Sequence, residues 1–245
     1  MRGDVRRGMT GPQAIARPRM MSEDAFSTDV ESAVVGEQRW PMLGAVVAAI
    51  VLTVLLPAEL RLGPSWLLPL IEAVLLVALV LGDPGAISRR SRLLRAFSIA
   101  LVAVLVLNSL WSTALLIDVL INGGAATDSA GELLSAGGIV WVSNNIAFAL
   151  LYWELDGGGA AARAHELPSE LSLAFPQQLN PRIGRPGWRP QFIDYLYLGF
   201  TNATALSPTD VMPLVPWAKI AMAAQSVISL AILALVIARA VNVLT

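Results

Sequence analysis

Between Lys219 and Arg239 the chain runs without a single charged residue. Crossing the hydrocarbon core of a bilayer takes about 20 apolar residues, with a working range of about 17 to 25. Backbone polar groups in lipid must be satisfied within the segment, so such a run folds as a helix. Four earlier runs meet or approach the same length, at roughly 41 to 57, 65 to 82, 95 to 121 and 134 to 154. The first is uncharged, the second is interrupted by Glu72 alone, the third carries Asp118 near its far end, and the fourth holds the pair Asn144 and Asn145. The tight connection "AELRLGP" makes the first two an antiparallel pair. The chain is 56% hydrophobic and 14% charged, against roughly 25% charged in soluble domains. These features predict an all-α fold, a polytopic transmembrane helix bundle.

The remaining composition excludes several classes. A net charge of -1 without a basic, aromatic-studded patch gives no footprint for nucleic acid. With no Cys and His165 as the only His, thiol chemistry and zinc or iron-sulfur sites have no ligands to use. Walker, dinucleotide, G-x-S-x-G and H-E-x-x-H signatures are all missing, so no enzyme activity and no cofactor are expected. His165, in a loop without a Ser or Cys partner, is expected on the surface. A composition rich in Ala and Arg, with Lys219 the lone Lys, points to a GC-rich bacterial genome.

Arginines set the expected orientation, because Lys and Arg in short loops favour the cytoplasm. The connection "DPGAISRRSRLLR" holds Arg89, Arg90, Arg92 and Arg95, whereas "NGGAATDSAGELL" has acids and no base. The N-terminus is therefore expected inside a bacterial cytoplasmic membrane. Residues 1–39 are expected to be a disordered tail, too long before the first apolar run for a cleaved signal peptide, and Met9, Met20 and Met21 leave a downstream start open. Residues 40–154 form a four-helix transmembrane region, and 155–190 a Pro-rich loop whose Leu171, Leu173, Phe175 and Trp188 keep it against the protein or the membrane interface. Residues 191–245 supply a short fifth segment and the last helix.

Within the spans, Glu72, Asn108, Asn144 and Asn145 fall near mid-helix and are expected at one depth. A carboxylate there costs about 2.5 to 3.5 kcal/mol on insertion scales, so it faces the bundle interior, where Asn amides supply donors. The functional expectation is a site for a monovalent cation or a proton; the plainer one is interhelical hydrogen bonding that fixes packing, worth about 0.6 kcal/mol per contact. Gln225 and Ser229, four apart, share a face that points into a bundle or an oligomer seam. The stretch "ELDGGGAAARA" resembles the start of the Asp-Gly motif of membrane phosphatidyltransferases, but the further aspartates of that motif do not follow, and its plain reading is a Gly-rich helix exit.

The stretch "NATALSPTDVMPLVPWAK" resembles the pore loop and inner-helix mouth of tetrameric potassium channels, T-A-T-T-V-G-Y-G-D followed by Pro, Trp and a base. The two frames align without a gap: Ala203 and Thr204 match, Asp210 falls on the filter Asp, Pro213 on the Pro, Trp217 on the Trp and Lys219 on the base. The resemblance covers about fifty residues, 192–245, and implies a constriction built from Thr204, Ala205, Leu206, Ser207, Pro208, Thr209 and Asp210 in a homo-oligomer, a tetramer if it forms a pore. Both filter Gly are replaced and Pro208 stands at the Tyr position, so the filter is degenerate and carbonyl-based potassium selectivity is not implied. From "LLYWELDGGG" onward the chain also resembles small uncharacterised bacterial polytopic membrane proteins with an F-T-N-A-T-A-F-S-P-T-D-like signature.

The expected architecture is thus about six membrane segments in a lipid bilayer, the fifth either a crossing or a re-entrant hairpin. A potassium-type hairpin enters from outside, which conflicts with the arginines, and the positive-inside rule favours a short crossing over 192–207. The expected function is ion channel-like or transport-related; the alternative is a non-conducting membrane protein with a structural or partner-binding role.

Overall fold

Apolar helices long enough to cross a membrane dominate the computed structural model. It describes residues 36–84, 86–87, 91–124, 129–165, 171–180, 182–184, 187–204 and 210–244. All of these lie in the unit Val34–Thr245; residues 1–35 of the predicted disordered tail 1–39 fall outside the described residues, and its last residues are described, with Glu37–Gln38 in a short strand and Arg39 buried.

The helices, in chain order, are α1 Trp40–Leu55, α2 Leu67–Gly82, α3 Arg92–Asn122, α4 Ala130–Leu155, the short α5 Ala160–His165 and α6 Pro176–Leu179, then α7 Phe192–Thr204 and α8 Pro216–Leu244. Among the described residues three helical stretches, Arg92–Asn122, Ala130–Gly158 and Pro216–Val241, are long and apolar enough to span a membrane; α1 and α2 are shorter apolar helices. The chain is an all-α membrane protein.

Local chemistry accounts for several helix ends. Pro41 occupies the first turn of α1, where its missing N–H costs nothing. Ser129 caps α4, accepting from the Glu132 N–H at 3.2 Å while its hydroxyl donates to the Glu132 carboxylate at 2.8 Å. Gly123, with φ of 87°, ends α3 in a conformation other residues avoid.

Helix α4 forms the hub and packs against α1, α3, α7 and α8. Two short antiparallel pairings lie at one end of the bundle: β1 Glu37–Gln38 with β2 Ala86–Ile87, and β3 Leu173–Ala174 with β4 Met212–Pro213. The first, with the Arg39–Asp83 ion pair at 3.2 Å, joins the start of α1 to the end of α2. The Ser98 hydroxyl donates to Glu154 at 2.5 Å, bringing the start of α3 and the end of α4 to the same place. This is the Arg-rich end. At the opposite end Glu59 lies against Gly124, and Arg239 of α8 beside Gly123.

The second pairing decides the path of the fifth segment. Helix α7 starts at the Arg-rich end, where the Phe192 N–H donates to Glu37. Its thirteen residues reach only about 20 Å at 1.5 Å per residue, less than the roughly 30 Å hydrocarbon core. Met212 and Pro213 then sit beside Ala174 and Leu173, whose N–H donates to Asp156 at the exit of α4. The chain therefore returns to the end it left. The short crossing favoured by charge is replaced by a hairpin, since pairing between β3 and β4 holds the return strand where arginine counting has no say. Helix α8 consequently runs antiparallel to α4 and ends opposite Glu37.

The 155–190 segment is also more ordered than its prolines suggest. Leu173 and Phe175 are buried, and Phe175 packs edge-on against Tyr195 at 5.3 Å and against Trp188 at 5.8 Å.

Candidate functional site

Two separate hydrophobic cores fill the bundle. The first gathers Val46, Ala49, Leu105, Ile146 and Met222 with the Arg-rich end; the second gathers Leu56, Leu116, Val140 and Ile232 toward the other end. On each helix the residues between these marks are polar: Thr53 on α1, Asn108, Ser109, Ser112 and Thr113 on α3, Asn144 and Asn145 on α4, Gln225 and Ser229 on α8. All are buried, and together they form a polar belt across the middle of the bundle. Of Glu72, Asn108, Asn144 and Asn145, expected at one depth, the three asparagines lie in this belt.

The belt has two halves. In the α7–α8 half Gln225 is the junction: it accepts from the Tyr152 hydroxyl at 2.7 Å and the Asn202 amide at 2.8 Å, and donates to the Gly199 carbonyl at 3.0 Å, while Ser229 Oγ has no partner among the described residues. Asn202 also donates to the Met222 carbonyl at 2.9 Å. This lock holds α7 inside the protein. Gly199 permits the approach to α4, because a Cβ there would lie 2.8 Å from the Asn145 amide oxygen and 3.3 Å from the Asn145 carbonyl.

In the α1–α3–α4 half several buried polar atoms are left unpaired. The Asn108 amide donates to Thr53 at 3.1 Å and the Asn144 amide to Thr113 at 3.5 Å. Asn108 Oδ1, Ser109 Oγ, Ser112 Oγ, Asn144 Oδ1 and Asn145 Oδ1 have no hydrogen-bond partner among the described residues. Both carboxylate oxygens of Glu72 are in the same condition, and Glu72 is 0% exposed. Ten residues before Gly82, it lies about 15 Å along α2 from the Arg-rich end.

Two cavities of about 10 Å³ each meet at Thr53, Leu56 and Asn108, each close to the size of one water. One extends to Ser109, Ser112 and Ser143; the other opens toward Arg61 and Ser65 and is bordered by Leu68 and Pro69. Those two residues lie one turn before Glu72 on α2, on its face of the helix. A buried carboxylate of this kind can hold a proton or coordinate a hard cation.

Of the constriction residues, Thr204 ends α7 with its hydroxyl bonded to the Thr201 carbonyl at 2.9 Å, and Asp210 is exposed at the Arg-rich end. Ala205, Leu206, Ser207, Pro208 and Thr209 lie outside the described residues. The belt touches this hairpin through Asn145 beside Gly199 and through Gln225, while Asn108 faces α1 and Asn144 faces α3. His165 is exposed at the end of α5, as expected.

Sequence reasoning missed a second polar cluster at the Arg-rich end. Glu37 accepts from Trp153 Nε1 at 2.9 Å and from the Phe192 N–H, and lies 3.8 Å from the Arg163 guanidinium. Burial pushes the Glu37 carboxyl above its ordinary range, against the pull of the Trp153 and Phe192 hydrogen bonds and the Arg163 charge. Arg163 donates to the carbonyls of Trp153 at 2.8 Å and Asp156 at 2.5 Å, and Asp156 accepts from the Tyr195 hydroxyl at 2.6 Å. Three consecutive glycines with positive φ, Gly157, Gly158 and Gly159, fold the chain back so that Arg163 meets α4. A Cβ at Gly159 would press on the Glu154 carbonyl at 3.2 Å. The D-G-G-G run was the available signal: it marks a sharp reversal, with the acids Glu154 and Asp156 before the glycines and Arg163 after them. Among the described residues no group of three or more acidic or histidine side chains gathers as a metal site.

Searches against known proteins return no protein-family model, no curated protein and no solved structure that matches this chain.

Proposed function

We propose that the protein passes a proton or a monovalent cation through the interior of its helix bundle. The observation that carries this reading is Glu72 itself, a fully buried carboxylate with no partner for either oxygen among the described residues. A buried polar group without a hydrogen bond is destabilising by about 1 to 3 kcal/mol, and an ionised one by more. A chain that only needed to pack would gain stability from an apolar residue at 72, so the acid argues for use. The one-water cavities toward Arg61 supply an approach from one end. Helix α7, ending within the bundle and packed between protein helices, satisfies the condition under which broken segments persist at membrane depth.

Arginine distribution favours the Arg-rich end as cytoplasmic. In that orientation five helices cross, α7 enters and leaves from the cytoplasm, and α8 ends outside. A Glu72 path needs one copy of the chain. A pore lined by Thr204 to Asp210, as in the channels that 192–245 resembles, needs several.

Reconstitution into liposomes tests the proposal, with flux of protons, sodium and potassium followed separately. Flux above that of empty vesicles, reduced by Glu72→Gln and retained by Asp210→Asn, supports the Glu72 path. Loss with Asp210→Asn and retention with Glu72→Gln transfers the activity to the hairpin. No flux for any ion at any protein density overturns the proposal and leaves the non-conducting reading.

A further inference from the structure

A cavity of about 290 Å³ opens at the Arg-rich end between α2, α3 and the α4–α5 turn. It is separate from the polar belt, and its lining has two characters. Met42, Leu79, Ile87 and Leu94 make an apolar wall, while Ser91, Arg92 and Arg95 form a polar rim.

The charges inside it are spoken for. Arg39 donates to the Asp83 carboxylate at 3.2 Å and to the Leu79 carbonyl at 3.0 Å. Glu154 accepts from Ser98, and Arg95 donates to the Gly158 carbonyl. Carbonyl bonding leaves the Arg95 charge in place, and Arg92 is exposed with no partner among the described residues. Arg92 and Arg95, three apart, share one face of the first turn of α3. The Ser91 side chain makes no capping bond, so the first N–H groups of this 31-residue helix face the same rim. Among the described residues the lining carries three guanidinium groups against two carboxylates, an excess of one positive charge.

We infer that this cavity binds an anionic phospholipid, with the phosphate at Arg92, Arg95 and the start of α3 and an acyl chain along Met42, Leu79 and Leu94. An apolar enclosed wall under a cationic rim fits an amphiphile better than a free anion, which would leave the wall bare. Basic pockets between helices at the cytoplasmic face are where such head groups collect. The inference rests on membrane embedding with the Arg-rich end inside and does not depend on ion passage.

The test uses the full chain in a neutral detergent, titrated separately with phosphatidylglycerol, phosphatidylcholine and inorganic phosphate. Thermal stabilisation and lipid retention in native mass spectrometry are the readouts. Saturable binding of phosphatidylglycerol about thirtyfold tighter than phosphatidylcholine is expected, the combined effect of two arginines near a head group. Arg92→Ala should weaken it about fivefold, and Ala161→Leu, which fills the cavity without changing charge, should reduce binding of both lipids. Arg182→Ala, an exposed charge outside the cavity, should leave binding unchanged. Equal affinity for the two lipids, equal stabilisation by inorganic phosphate alone, or an effect of Arg182→Ala matching that of Arg92→Ala would each overturn the inference. Because these readouts measure binding, a protein that conducts nothing still gives a clear answer.

Discussion

Replacing Gln225 by Leu removes the junction that holds α7 within the bundle. Gln225 is 0% exposed and makes three hydrogen bonds, to Tyr152, Asn202 and Gly199, that join α4, α7 and α8. Interhelical hydrogen bonds in membrane proteins average about 0.6 kcal/mol, so three contribute about 2 kcal/mol. Leu also strands the Tyr152 hydroxyl, at about 1 to 3 kcal/mol for a buried group left unpaired, while the Gly199 carbonyl keeps its bond within helix α7. Asn202 keeps its bond to the Met222 carbonyl. Leu packs well in the same volume, which offsets part of the loss, and the expected destabilisation is about 2 to 4 kcal/mol. Unfolding of the purified protein in mixed micelles, followed by helicity, measures it. The Tyr152→Phe variant completes a double-mutant cycle with an expected coupling of about 0.6 to 1.7 kcal/mol. If Gln225→Leu unfolds with the wild type and the cycle shows no coupling, the hub is not what holds α7, and the account of the hairpin fails.

Three further outcomes follow from the same structure. Gly199→Ala gains about 1 kcal/mol of helix propensity but pushes a methyl 2.8 Å from Asn145, an overpacking worth about 1 to 3 kcal/mol; slight destabilisation is expected for Ala and severe destabilisation for Gly199→Leu in the same unfolding assay. Burial raises Glu37, so the folded state holds that proton more tightly than the unfolded chain. Its contribution is full below the ordinary value of 4.5 and is lost as pH rises through the folded value; stability relative to Glu37→Gln should therefore fall from acid to neutral pH. Glu72→Leu removes a partnerless carboxylate and should raise stability by up to about 3 kcal/mol, while abolishing flux, the trade expected of a residue kept for activity.

The apolar runs at 41–57, 65–82, 95–121, 134–154 and 217–239 appear as α1, α2, α3, α4 and α8 with ends shifted by a few residues. Length and lack of charge suffice for that, because a bilayer-spanning run has few other folds. Mid-helix position likewise put Asn108, Asn144 and Asn145 at one depth. Glu37 was unreadable: it sits in a charged tail, and its partners Trp153 and Phe192 are more than a hundred residues away. The return of the hairpin depends on Leu173 and Ala174 meeting Pro213 and Met212, strands of two residues that carry no periodicity. Arg163 and Asp156 were hidden for a related reason, since the glycines that join them look like a flexible exit until their φ values are known.

The most direct test is the side of the membrane on which each end of α7 lies. The chain has no Cys, so single cysteines at Arg182 and Asp210, both exposed, can be labelled with an impermeant maleimide in intact and permeabilised cells. Labelling of both from the same side, opposite to a cysteine at exposed Gly63 between α1 and α2, is predicted. Labelling of Arg182→Cys and Asp210→Cys from opposite sides would mean that residues 192–207 cross, and would contradict the hairpin.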